Sequence, residues 1–267
     1  MIKKILKEPG EMMLQQLKRH HFLFEELVKR DFKTKYKGTV LGAAWSVLSP
    51  LLQLLIMRLV FTHFFGTTIA HYTTFLFCGN IVYNFFSEAT SQGMMSLVNN
   101  APIFTKVNVP KYMFLLARDA QTFLNFGLTL IVFIVLCMFD GIFPSWRWLL
   151  LIYPVVMLLL FNLGCGLVLS ALYVFFRDMQ YLWNIFIQLL MYISAIFYDI
   201  ATFPVKIQNL FLLNPVYLYI RYFRKIVIDM AIPSVGFHIL MLFETMVLLA
   251  AGALMYKKYN TEFLYYV

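Results

Sequence analysis

The sequence predicts an all-α integral membrane protein with six transmembrane helices, and three observations predict it. Of 267 residues, 61% are hydrophobic and 13% charged, with mean hydropathy +0.76; an ordinary soluble domain carries roughly a quarter charged residues. The apolar runs have lengths suited to a bilayer core, which asks for about 20 residues per helix. They lie near 39–62, 72–95, 113–138, 148–175, 181–199 and 235–256. The cations are unevenly divided between the connections. Ten in 1–38, with Lys106, Lys111, Arg118, Arg177, Lys257 and Lys258, make sixteen of the 22 Lys and Arg on the side shared by both termini. By the positive-inside bias that side is cytoplasmic. Arg147, Lys206, Arg221, Arg224 and Lys225 fall on the other side, and Arg58 sits inside the first span.

The expected division is a cytoplasmic N-terminus (1–38), a six-helix domain in the cytoplasmic membrane (39–256) and a cytoplasmic C-terminal tail (257–267). No apolar core of signal-peptide type precedes the first span, so no cleavable leader is expected. The net charge of +9 follows mostly from the inside bias and gives no argument for nucleic acid.

Before the first span comes a basic amphipathic stretch. Phe24, Val28, Phe32 and Tyr36 recur every four residues, with Leu23 and Leu27 beside them, as one helical stripe. Lys29, Lys33 and Lys37 make a second row, with Arg30 and Lys35 nearby, and Glu25 and Glu26 stand four residues ahead of Lys29 and Arg30, the better orientation for helical ion pairs. Such a helix can lie at the membrane interface and receive a partner, or be a solvated leader that only sets topology.

Two spans carry polar faces. In the second, Asn80, Asn84, Ser87 or Glu88, and Ser91 share one face with Gln92; in the fifth, Asn184 and Gln188 are one turn apart, followed by Tyr192 and Ser194. Polar groups in hydrocarbon are costly unless they meet other helices or water, so each stripe is helix–helix adhesive or the wall of a path. Tyr83, Phe85, Phe86, Trp183, Phe186, Tyr192 and Tyr198 lie beside them, and aromatic faces stack on the C–H faces of sugars; the competing reading is a membrane belt. Arg58, Glu88 and Glu244 would each cost about 2.5–3.5 kcal/mol at mid-bilayer facing lipid. Glu88, on the polar stripe, is the better functional candidate; Glu244 asks for an interior partner. Gly166 and Ser170 in the fourth span give the small-xxx-small spacing of close helix approach.

Two connections depart from simple loops. Residues 99–112, between Asn99 and Tyr112, are cytoplasmic and bounded by Pro102 and Pro110, as in either a short projecting helix or an ordinary loop. Residues 200–234 are too apolar for a solvated loop, and Pro204, Asn214-Pro215 and Pro233 divide them into pieces too short to cross. They read as two half-helices dipping into the outer leaflet as a re-entrant hairpin. Arg221, Arg224 and Lys225 there oppose the charge bias; they suit lipid phosphates or the phosphate of an emerging substrate.

Catalytic signatures are missing: the chain has no G-x-x-x-x-G-K-[ST], G-x-S-x-G, H-E-x-x-H or C-x-x-C. Cys78, Cys137 and Cys165 lie in apolar spans at unrelated spacing, and the five histidines show no metal spacing, so neither a disulfide nor a metal site is expected. If transport here uses ATP, a separate chain must bind it.

The sequence resembles the membrane subunits of type-2 ABC exporters for polysaccharides and polyol phosphates, such as O-antigen, capsule and teichoic-acid transporters. The likeness rests on Arg30-Asp31-Phe32-Lys33-x-Lys35-Tyr36-Lys37, Leu41-Gly42-x-x-Trp45, Ser49-Pro50-Leu51, the run from Ile103 to Lys111, Phe176-Arg177-Asp178 and Asn214-Pro215. One departure is Ser194-Ala195-Ile196-Phe197-Tyr198, where the family usually has Thr-Pro-Ile-x-Tyr; Arg58 is another.

The resemblance implies a homodimer with two ATPase subunits that exports a lipid-linked glycan or polyol-phosphate polymer. ATP and Mg would be bound by the partner ATPase, with no cofactor in this chain. It implies ATPase docking by Lys29, Arg30, Lys33, Lys37, Pro102, Lys106, Pro110, Arg177 and Asp178. The substrate path would be lined by Asn80, Tyr83, Asn84, Phe86, Glu88, Trp183, Asn184, Gln188, Tyr192 and Tyr198. Pro204, Asn214, Pro215, Arg221 and Arg224 would build an outer gate. A type-2 exporter of drugs or lipids would share the architecture with fewer polar and aromatic path residues. A membrane-embedded glycosyl or acyl transferase would need a convergent acid–base or metal cluster, which the sequence does not offer.

Overall fold

The computed structural model describes residues 21–65, 69–107 and 109–267. Expectations resting on Lys3, Lys4, Lys7, Lys18, Arg19, His20 and Asn108, and on the His63 side chain, lie outside the described residues. The helices are α1 (His21–Tyr36), α2 (Trp45–Phe65), α3 (Tyr72–Asn99), α4 (Ala101–Phe104), α5 (Tyr112–Phe139), α6 (Ile152–Phe175), α7 (Met179–Ile193), α8 (Val205–Phe211), α9 (Pro215–Val227), α10 (Val235–Tyr259) and α11 (Phe263–Tyr266). Among the described residues there is no strand.

Four stretches are long and apolar enough to cross a membrane by length and composition: Gly42–Phe61, Tyr112–Phe139, Trp146–Phe175 and Val235–Tyr259. The chain is therefore a multi-pass, all-helical membrane protein. The other two expected spans differ from the expectation for separate reasons. α3 has 28 residues, but its polar face lowers its hydropathy. α7 stops after 15 residues, at Ile193, instead of running to 199. Asn214 Nδ2 donates to the Ile193 carbonyl (3.2 Å) and to Ser194 Oγ (2.9 Å), and Ala195 takes a left-handed φ of 50°.

α3 sits at the centre and packs against α2, α5, α6, α7 and α9, while α10 covers the other side of α6. Close approach is made by small residues. A Cβ on Gly252 of α10 would lie 2.5 Å from Leu167 Cβ, and one on Gly166 would lie 2.8 Å from Leu115 of α5. Ser170 Oγ shares a 2.7 Å hydrogen bond with the Tyr256 hydroxyl. The expected small-residue contact of the fourth span is thus present, and α10 extends it.

The long helices run between two ends. At one, Leu27 of α1, Leu97, Phe104, Phe114, Val174, Tyr256 and Phe263 join a single apolar cluster. α1, α11, the ends of α3, α6 and α10, and the start of α5 therefore meet there. At the other, Thr74 Oγ1 donates to Asp140 (2.7 Å) and the Tyr153 hydroxyl to the His238 carbonyl (2.7 Å). α9 enters from this second end. Its Tyr219 bonds Thr245, well inside α10, at 3.1 Å, and its Tyr222 bonds His238, in the first turn of α10, at 2.9 Å. The two expected half-helices exist as α8 and α9 but have opposite environments: α8 buries no residue, and α9 is almost wholly buried.

Candidate functional site

α1 forms from its apolar stripe, and Leu27 is its most deeply buried apolar residue. One turn on, Asp31 lies on the same buried face, 4% exposed. A carboxylate there must be paired. It accepts from Arg30 Nε (2.9 Å) and Nη2 (2.8 Å) and lies 3.4 Å from Arg118 Nε of α5. Arg30 Nη2 also donates to Asn100 Oδ1 (2.8 Å), and Asn100 Nδ2 to the Ser96 carbonyl (2.8 Å).

Arg30, expected as a docking residue paired with Glu26, ties α1 to the end of α3 while remaining 41% exposed. Glu26 pairs with Lys29 instead, at 3.2 Å. Lys29, Lys33 and Lys37 are exposed, as are Pro102 at the start of α4, Lys106, and Arg177 and Asp178 in the α6–α7 turn; Pro110 is half-buried. The residues 99–112 thus include a one-turn helix, α4.

Lys111 is buried and bonds the Asn260 backbone carbonyl and, at 3.2 Å, its Oδ1, with the Phe104 and Phe263 rings 5.9 Å away. Burial lowers its pKa. It holds α4 and α11 to one core, so the surface at this end is one piece.

The partly exposed face of α3 carries Asn84, Ser87, Glu88, Ser91 and Gln92, the stripe expected from sequence; Asn80 is 1% exposed and apart from it. Asn84 and Glu88 border a cleft of about 630 Å³ between the C-terminal end of α1, α2, α3 and α5. Trp45, Tyr36, Phe85 and Phe126 supply its aromatic walls, and Gln53, Asn84, Glu88 and Asn125 its hydrogen-bonding groups.

Glu88 Oε1 receives Lys35 Nζ (2.5 Å), Gln92 Nε2 (3.0 Å) and Asn125 Nδ2 (3.4 Å). The Tyr36 hydroxyl donates to Asn125 Oδ1 (3.1 Å), and Asn84 Nδ2 to Gln53 Oε1 (2.9 Å). Lys35 is part of the basic motif read from the sequence, with no role in this cleft foreseen, and Gln53 and Asn125 belong to no motif there. The local signal is one amide in the first span, Gln53, and two in the third, Gln121 and Asn125, and helical periodicity does not tell which neighbour each meets.

The other path candidates lie away from this cleft. Tyr83 is buried and donates to the Ile187 carbonyl (2.8 Å), and Phe86 packs on Trp183 (6.1 Å). Asn184, Gln188 and Tyr192 stand on the exposed side of α7. Within one chain the two expected polar stripes therefore do not face a common space. Tyr198 is half-buried beside Phe203 and Phe211. Glu244 is half-buried in α10, and its Oε2 has no hydrogen-bond partner among the described residues.

Of the outer set, Pro204 and Asn214 cap α8 and α9; Asn214 accepts from the Val216 and Tyr217 amides, ahead of Pro215 in the first turn. Arg221 is half-buried over Phe237 at 5.4 Å. Arg224 departs from the expectation of an anion-facing cation. It is 9% exposed, donates to the carbonyls of Phe75 (3.3 Å), Ala195 (2.8 Å) and Ile196 (2.9 Å), and lies 3.4 Å from the Phe75 ring centroid. Gly79 leaves room for it, since a Cβ there would lie 3.2 Å from Arg224 Nη2.

Long apolar helices around a central polar-faced helix, with an amphipathic helix folded over the mouth of a polar cleft, define a polytopic membrane domain with a polar recess. The model of the ABC-2 type transporter family matches residues 23–228, and the chain belongs to that family. It is 27% identical over 255 residues to the O-antigen export system permease protein RfbA of Myxococcus xanthus, covering 94% of this chain and 97% of that protein. A Klebsiella pneumoniae O-antigen export system permease protein RfbA is 30% identical over 210 residues, 77% of this chain and 81% of its own length. The polysialic acid transport protein KpsM of Escherichia coli is 24% identical over 237 residues, 87% and 92% of the two chains.

Proposed function

We propose that this chain is the permease subunit of an ATP-driven exporter that moves a lipid-linked polysaccharide or polyol-phosphate polymer across the cytoplasmic membrane, as a homodimer with two ATPase subunits. The observation that carries this reading is near full-length similarity to permeases named for two different glycans, O-antigen and polysialic acid. A path used by unlike sugars needs tolerant surfaces, and aromatic walls with amide groups between them supply stacking and adaptable hydrogen bonds. The cleft beside Glu88 has that composition. The exposed Asn184, Gln188 and Tyr192 of α7 suit a seam with a second copy, where the two stripes would face one path.

In this reading α3 and α7 also cross the membrane, for six crossings and two cytoplasmic termini. The 28 residues of α3 reach about 42 Å at 1.5 Å per residue, and residues 194–199 would complete the passage begun by α7. The meeting of α1 and α11 in one cluster supports an even number of crossings. α8 and α9 would form the re-entrant outer gate, and the depth of Tyr219 beside Thr245 supports it. Lys29, Arg30, Lys33, Lys37, Pro102, Lys106, Pro110, Arg177 and Asp178 would meet the ATPase.

Reconstituted alone, the chain is expected to hydrolyse no ATP above empty vesicles. With its ATPase partner it should hydrolyse ATP and pass glycan to the far side; hydrolysis by the chain alone would overturn the division of labour. Topology is read separately. Cysteines replacing Lys206 and Lys258, both exposed, should react with an impermeant thiol reagent from opposite sides of the membrane. Reaction of both from one side would contradict the six-crossing reading.

A further inference from the structure

The connection between α1 and α2 is poorly suited to carry force. Residues 37–44 are exposed apart from half-buried Gly42. Gly38 and Gly42 have φ of 79° and 52°, and a Cβ at either would meet nothing within 4 Å. Left-handed glycines in an unpacked linker bend at little cost.

α1 is instead bonded across space to α3 and α5, at two places of different character. Near its middle is the Asp31 group, whose carboxylate is 4% exposed and held by Arg30 and Arg118. At its C-terminal end Lys35 meets Glu88 at 2.5 Å, and both side chains are 32% exposed. Tyr36 reinforces this second contact through Asn125. In the first contact the carboxylate itself is enclosed, although Arg30 is 41% exposed, whereas in the second both partners are about a third exposed. A part-exposed pair of this kind opens readily, whereas breaking a buried one strands a charge. The arrangement is a fixed point with a releasable end over the mouth of the cleft.

We propose that Lys35 and Glu88 form a breakable latch that couples movement of α1 directly to α3, bypassing α2, the next helix in the chain. Both are positioning residues: Lys35 reports the tilt of α1, and Glu88 passes it to the polar face that borders the cleft. The inference rests on the proposed reading of α1 as the helix against which an ATPase subunit pushes.

The test uses the full chain with its ATPase partner in proteoliposomes. Cysteines replace Lys35 and Glu88 and are joined by a short, reducible bis-methanethiosulfonate linker; native Cys78, Cys137 and Cys165 are buried and contribute little background. The joined complex should stay assembled but hydrolyse ATP about tenfold more slowly than the same double-cysteine complex before joining, within the span of ordinary coupling free energies, and return to that unjoined level on reduction. Full hydrolysis with the linker in place overturns the proposal.

A second arm separates coupling from folding. Lys35→Glu and Glu88→Lys should each lower hydrolysis, and the double exchange should restore it. Two folded single variants with no recovery in the double variant also overturn the latch. A parent complex that hydrolyses ATP but moves no glycan overturns the substrate reading alone, and the latch is then judged on hydrolysis.

Discussion

Replacing Arg224 with methionine is expected to lower the stability of the fold sharply. The guanidinium is buried and serves the carbonyls of Phe75, Ala195 and Ile196 while stacking on the Phe75 ring. Methionine fills part of the space but donates nothing. Each carbonyl left buried and unpaired costs about 1–3 kcal/mol, against a total stability of about 5–15 kcal/mol for a typical domain. The Phe75 carbonyl keeps its helical bond to the Gly79 amide, so the carbonyls of Ala195 and Ile196 are the two left stranded, and their loss together with the ring contact takes a large share of that total. Arg224→Lys should recover only part, because an ammonium lacks the planar fork that reaches acceptors in different directions and stacks on a ring. Thermal unfolding of detergent-purified protein, read by tryptophan fluorescence, decides it. A midpoint for Arg224→Met equal to that of the parent would show that the clasp is dispensable.

Asp31→Asn should have a large but local effect. The amide cannot neutralise Arg118, which is 21% exposed and faces a carboxylate 4% exposed. Breaking a buried pair costs about 3–5 kcal/mol, and the 41% exposure of Arg30 puts this case at or below the lower end. Lys29→Ala removes an exposed pair and should cost at most about 1 kcal/mol. Since α1 rests on the bundle mainly through α5, hydrogen exchange should speed up in α1 for Asp31→Asn and stay unchanged in α3 and α6. Uniform acceleration throughout would mean that Asp31 supports the whole fold and not the seating of α1.

Much of the architecture was legible in residue order. Apolar runs marked the long helices to within a few residues, because burial in lipid is a property of each segment by itself. The proline and Asn-Pro punctuation marked α8 and α9, because proline and an Asn cap act on the turn in which they stand. The stripe of Asn84, Glu88 and Gln92 was visible for the same reason. The partners of charged groups were not legible. Arg30 and Lys29 are neighbours with the same charge, yet Arg30 bonds Asp31 and Asn100 while Lys29 stays at the surface. Periodicity assigns each a face but does not say what lies across from it.

By itself, then, the sequence determined the helical membrane character, the basic amphipathic helix before the first span, the polar face of α3 and the broken segment before α10, all of them set within one or two turns of chain. Only the tertiary structure decided that α7 ends at Ile193, that Arg224 is a clasp and not an outward-facing cation, and that Glu88 is met by Lys35. The acceptors of Arg224 lie 28, 29 and 149 residues away, and the partner of Glu88 lies 53 residues away. A buried arginine settles where packed helices leave several carbonyls within reach of one planar fork, and that convergence exists only once the bundle has formed.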